Sequence, residues 1–148
     1  MAETLGTLCD KLTIVKLKQY HCDNESKAQS LLLQESQLSH EIDSFFADAV
    51  SGATAVDRLT FSANKVYKQA GHELTSVPED TIGGAFAELA KVNCDLWHEQ
   101  EKVYDFEAVP MEKKNEVVKQ LALLNLRRNQ CIDAIDKTLV RIIQQKGN

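Results

Sequence analysis

The chain has 148 residues, with 22 Asp and Glu against 17 Lys and Arg, for a formal net charge of −5. That length suits one domain that buries a sizeable core without a metal or disulfide staple. The basic residues form only isolated pairs such as Lys113-Lys114 and Arg127-Arg128, which excludes a nucleic-acid backbone as the main partner, because that binding needs a concentrated positive field.

The four cysteines, Cys9, Cys22, Cys94 and Cys131, are widely spaced. The N-terminus lacks a basic stretch followed by an apolar run, and no segment has the length and apolarity of a membrane span. These features predict a cytoplasmic protein with reduced thiols and no membrane insertion.

Apolar periodicity predicts about five helices in a single domain over residues 1–148. The first runs from Thr4 to Asp23, with Leu5, Leu8, Leu12 and Val15 on one stripe. The second runs from Ser26 to Val50 and is stopped at Ser51-Gly52. A third is predicted from Thr54 to Ala70, followed by a loop to Val77. The fourth opens at Pro78-Glu79-Asp80 and continues to Asp105, with Leu89, Val92 and Leu96 inward. Pro110 opens the fifth, which extends to Gln145, is about 50 Å long and has a near-heptad stripe through Leu121, Leu124, Cys131, Ile135 and Leu139. The predicted fold is an all-α antiparallel helical bundle with a long C-terminal helix. The first and fourth helices align with one another, pairing Tyr20-His21 with Trp97-His98; this fits either an internal duplication or the chance alignment of two amphipathic helices, and the following helices, which do not match, argue against duplication.

Projecting each helix at 100° per residue places a few polar residues inside apolar stripes. Lys16 falls there on the first helix and Glu35 on the second. Asn93 and Gln100 do so on the fourth, and Arg128 on the fifth. Lys16 and Glu35 come to matching levels across the first hairpin, as do Asn93 and Arg128 across the second. Buried charge demands a partner, so two readings stay open: structural ion pairs that fix helix register, or a polar pocket in the bundle core that takes an anionic or polar ligand. The first helix also carries a second, half-polar stripe of Asp10, Ile14, Leu17 and His21. Together with the Leu-rich run from Leu121 to Leu126, it predicts a homodimer.

Chemical motifs narrow the field further. No histidine pair has zinc spacing, and adjacent pairs such as His98-Glu99 diverge around a helix. No metal ligand set and no cofactor is implied. Asp133 and Asp136 are one turn apart and read as solvated acids. They keep open a metal-dependent nucleotide or sugar-phosphate phosphohydrolase as the enzyme alternative. Cys22 beside His21 is a weak nucleophile signal, whereas Cys9 and Cys131 read as small core residues. Gly83-Gly84 reads as a site of close helix packing, and Tyr20 and Trp97 as packing anchors.

Three segments carry a family resemblance. They are Leu8 to Ile14 leading to Tyr20-His21, Asn93 to Glu99, and Leu124 to Asn129 leading to Asp136. Together they resemble an uncharacterised bacterial helical family (the type known as domain of unknown function 4254), whose genes often lie near those for glycosyltransferases and surface-polysaccharide assembly. The chain departs from that pattern at Tyr20, where the family prefers tryptophan, and at Gln100-Glu101, where an acidic pair is usual. Matched positions are Asp10, Lys11, Lys18, His21, Asn93, Trp97, His98, Asn125, Arg128 and Asn129.

The resemblance implies a role in carbohydrate or surface-polymer metabolism and supplies no reaction; with the inward polar residues, the expected function is a non-catalytic accessory or binding protein with a protein partner or a small anionic ligand. The residues expected to bind it are Lys16, Glu35, Asn93, Trp97, Arg128, His21, Asp10 and Asn125.

Overall fold

A computed structural model describes residues 2–61, 77 and 81–147. Among the described residues the regular structure is all-helical: α1 (Leu5–Tyr20), α2 (Glu25–Ser51), α3 (Ile82–Tyr104) and the long C-terminal α4 (Met111–Lys146), with 3₁₀ turns at Val56–Arg58 and Phe106–Ala108.

Local chemistry sets the helix ends. Thr4 caps α1 in a reciprocal box: its Oγ1 accepts the Thr7 N–H at 3.3 Å, and Thr7 Oγ1 accepts the Thr4 N–H at 2.8 Å. Gly52, at φ +79°, closes α2 in the left-handed conformation that glycine adopts without steric cost. Thr81 caps α3 by accepting the Gly84 N–H at 3.0 Å. Pro110 precedes α4, whose 36 residues span about 54 Å.

The third predicted helix is not seen among the described residues. Residues 54–61, where that helix was expected to begin, hold only the 3₁₀ segment Val56–Arg58 and the fully buried Leu59, and form no α-helix. The rest of that prediction, residues 62–70, and Pro78-Glu79-Asp80 lie outside the described residues, but the extended Thr81 cap starts α3 at Ile82 rather than at Pro78 as expected. Four α-helices rather than about five are therefore seen among the described residues.

α1 packs on α2, α3 and α4, and α3 packs extensively on α4. The core is built from Leu5 and Cys9 of α1, Ala85, Leu89 and Val92 of α3, and Cys131, Ile135 and Leu139 of α4. α2 buries only Leu31 and Ala49 of its 27 residues, so most of it stays solvent-facing beside α1. α1 approaches α4 closely at Gly6. A Cβ there would collide with the backbone carbonyl oxygen of Ile132 on α4, so this position accepts only glycine. Gly83, expected at a close contact, has open space around it instead.

Several expected inward residues prove otherwise. Lys16 and Gln100 are exposed and Glu35 is half-buried, long side chains whose polar ends reach water. Tyr20 is 85% exposed and meets the adjacent His21 ring edge-on rather than anchoring the core. Asp136, read as a solvated acid, is fully buried. The reason is a distant partner: the Gly6 N–H in the first turn of α1 donates to its Oδ1 at 2.7 Å. The carboxylate thus serves a helix N-terminus with which it shares no local sequence.

Candidate functional site

The densest polar cluster joins α1, α3 and α4. Asp10 is 5% exposed, yet carries a carboxylate. Arg128 grips it in a two-pronged ion pair, Nε donating to Oδ1 at 2.8 Å and Nη2 to Oδ2 at 2.5 Å. From α3, the fully buried Asn93 donates Nδ2–H to Asp10 Oδ1 at 2.9 Å and to Thr13 Oγ1 at 2.6 Å. Thr13 in turn donates to the Asp10 backbone carbonyl at 2.8 Å. Hydrogen bonding to Asp10 raises the Arg128 pKa above its already high value, so the guanidinium stays charged.

Asn93 and Arg128 were expected to pair directly. Instead both converge on Asp10, a side chain from a third helix. Lys16 and Glu35 do meet, at 2.9 Å, but on the surface, where Gln19 Nε2 also donates to Glu35 at 2.7 Å. The Gln19 bond, then Lys16, holds the Glu35 carboxyl below its usual range. This edge pair is separate from the Asp10 cluster. Asn125 stands apart too, donating to the Leu121 carbonyl one turn back at 3.0 Å.

The Asp10–Arg128 pair forms part of the wall of a cleft of about 410 Å³ between α1 and α2. Lys11, Lys18, Gln34 and Glu41 also line it. Arg128, with its side chain 32% exposed, spans from the buried carboxylate to this open space. A second cavity of about 360 Å³ adjoins the first, sharing Lys18 and Gln34. His21 and Trp97 line it and stack face to face, with centroids 4.9 Å apart and planes 7° from parallel. His98 meets His21 edge-on at 6.2 Å, so the two aromatic–histidine motifs of α1 and α3 come together in space. Trp97 Nε1–H donates to Glu101 at 3.1 Å.

Cys9 and Cys131 are buried, and burial pushes both thiols up to about 11, so neither is poised as a nucleophile. Cys22 is half-buried and lines the His21–Trp97 cavity. Among the described residues, no three His, Cys, Asp or Glu side chains converge as metal ligands. Nor is any helix there long and apolar enough to cross a membrane.

No family model, curated protein or solved structure matches this chain. What the geometry adds is a meeting point: the three motif segments bring Asp10, Asn93 and Arg128 into one hydrogen-bonded cluster.

Sequence reasoning had identified Asp10, His21, Asn93, Trp97 and Arg128. It missed Thr13, Gln34 and the Gly6–Asp136 contact. Thr13 lies three residues after Asp10, the spacing at which one helical side chain reaches the preceding carbonyl, and this was the available signal.

Proposed function

We propose that this protein is a non-catalytic binding or accessory protein of the bacterial cytoplasm, linked to carbohydrate or surface-polysaccharide metabolism, and that the α1–α2 groove takes a small anionic ligand. One observation carries the reading: Arg128, its side chain 32% exposed, lines a cleft of about 410 Å³ together with Lys11 and Lys18. A guanidinium held by a buried carboxylate is a preorganised cation, its orientation set before a ligand arrives. The link to carbohydrate rests on the motif resemblance.

The helices fit an antiparallel bundle. Position 6 of α1 meets 136 of α4 and position 10 meets 128, so contacts ascend one helix as they descend the other. A homodimer is part of the same reading. Leu32 and Leu33, adjacent on α2, are 60% and 62% exposed, apolar surface that a second copy would cover.

Thermal-shift measurement of wild type and Lys18→Ala against sugar phosphates, nucleotides and simple anions tests the ligand claim. Lys18 is exposed and outside the Asp10 cluster, so its removal leaves the fold intact. A saturable rise in midpoint for wild type, absent in Lys18→Ala, is the expected result. Equal behaviour of the two proteins towards every compound contradicts it.

A further inference from the structure

The second cavity has a composition of its own. Its walls are the stacked His21–Trp97 pair, the apolar Leu31, and the lysines Lys18 and Lys27, with Asp23 and Ser30 also lining it. Among the described residues, neither lysine has an ion-pair partner, whereas Lys11, Lys16, Lys91 and Lys102 are all paired. Two uncommitted ammonium groups beside a flat aromatic wall form an unusual place on a chain whose net charge is −5.

Each part selects a chemical feature. Lysine ammonium is a mobile point charge that suits a compact dianion such as phosphate. A ring face presents a planar, weakly polar surface suited to a sugar or a base. The 4.9 Å centroid separation of His21 and Trp97 leaves no room for a third ring between them, so a ligand ring must lie against the outside of the pair. Asp23 and Ser30 offer hydrogen-bonding groups for hydroxyls.

We propose that this cavity is the ring-and-phosphate end of the groove: His21 and Trp97 support the ring of a saccharide or nucleoside phosphate while Lys18 and Lys27 hold its phosphate. This inference rests on the reading of the α1–α2 groove as a ligand site, and it names that ligand's class. Lys18, shared with the Arg128 cleft, lets a second anionic group of a longer ligand reach Arg128.

Trp97 is the only tryptophan, so its emission reports on this wall alone. The test is a fluorescence titration of the full chain with glucose 1-phosphate, uridine monophosphate and inorganic phosphate. Alkylation of Cys22, followed by peptide mass mapping, serves as a second readout. A ring-bearing phosphate should change Trp97 emission saturably and protect Cys22. Lys27→Ala should weaken that binding at least tenfold with an unchanged circular dichroism spectrum.

The sugar phosphate and the nucleotide compete on the same readout, and the tighter one identifies the ring. Inorganic phosphate acting as strongly as either would overturn ring recognition. Lys27→Ala binding as tightly as wild type would overturn the lysine assignment. A ring-bearing phosphate that raises the thermal midpoint while leaving Trp97 emission and Cys22 alkylation unchanged overturns this inference and leaves the Arg128 cleft standing. No midpoint rise and no emission change for any of the three removes both.

Discussion

Arg128 of α4 and Asp10 of α1 are bound by two parallel hydrogen bonds across 118 positions of sequence, at 2.8 and 2.5 Å. The pair is asymmetric. The Asp10 side chain is 8% exposed and the Arg128 side chain 32%. Removing the arginine therefore strands a buried carboxylate, whereas removing the aspartate leaves a guanidinium that swings to water. Arg128→Ala should cost about 3 kcal/mol or more, and Asp10→Ala less. Urea unfolding at neutral pH compares them. Equal, small losses would mean that the pair is solvated like a surface bridge. Lys16→Ala provides the contrast: its exposed bridge to Glu35 should leave the midpoint close to wild type.

The two glycines Gly6 and Gly83 should respond oppositely to alanine. At Gly6 the new methyl meets the Ile132 carbonyl, a backbone atom that cannot yield without moving α4. Gly6→Ala should cost about 1–3 kcal/mol. At Gly83 nothing lies in the way, and Gly83→Ala should be neutral or stabilising by about 0.5 kcal/mol through helix propensity. Thermal midpoints distinguish them, and a Gly6→Ala protein as stable as wild type would contradict the close approach of α1 to α4.

Asp136 supplies a pH dependence of definite sign. Burial is the largest influence and raises its pKa from 3.8 to about 6, against the Thr4 hydroxyl and the Gly6 N–H, which favour the charged form. The Thr4 hydroxyl lies near enough to favour the charge but makes no full hydrogen bond to Oδ2, which is buried without a partner. The folded chain thus holds this proton more tightly than the unfolded chain does. Its contribution to stability is complete below about pH 4 and is lost as pH rises through about 6. The amount lost is of order 3 kcal/mol. Glu3 and Glu35 have lowered pKa values and act in the opposite sense, so the informative quantity is the difference between wild type and Asp136→Asn. That difference should move against wild type between pH 4 and 7. A constant difference across the range would mean that Asp136 titrates as an ordinary surface acid.

The end of α2 and the start of α4 were legible because their signals are local, whereas α3 begins at Ile82 behind the Thr81 cap rather than at Pro78. Gly52 and Pro110 each act within a residue or two of the end they mark. The Asp10–Asn93–Arg128 cluster was legible in its members but not in its wiring. Face projection shows that a polar side chain points inward, and hairpin levels pair it with the neighbouring helix. Asp10 comes from a non-adjacent helix, so levels across one hairpin could not find it. The same limit hid Asp136, whose partner Gly6 lies 130 positions away. Lys16 was misplaced for a different reason. Its stripe neighbours Leu5, Leu8 and Val15 are buried, but a lysine stem covers apolar surface while its ammonium reaches water.

The most direct test of the groove as a ligand site is amide chemical-shift mapping of the labelled protein as a sugar phosphate or nucleotide is added. The binding reading predicts saturable shifts concentrated at Lys11, Lys18, His21, Gln34 and Arg128, with the far end of α4 unmoved. Shifts that scatter over the surface without saturating, or that cluster away from the α1–α2 groove, would contradict it.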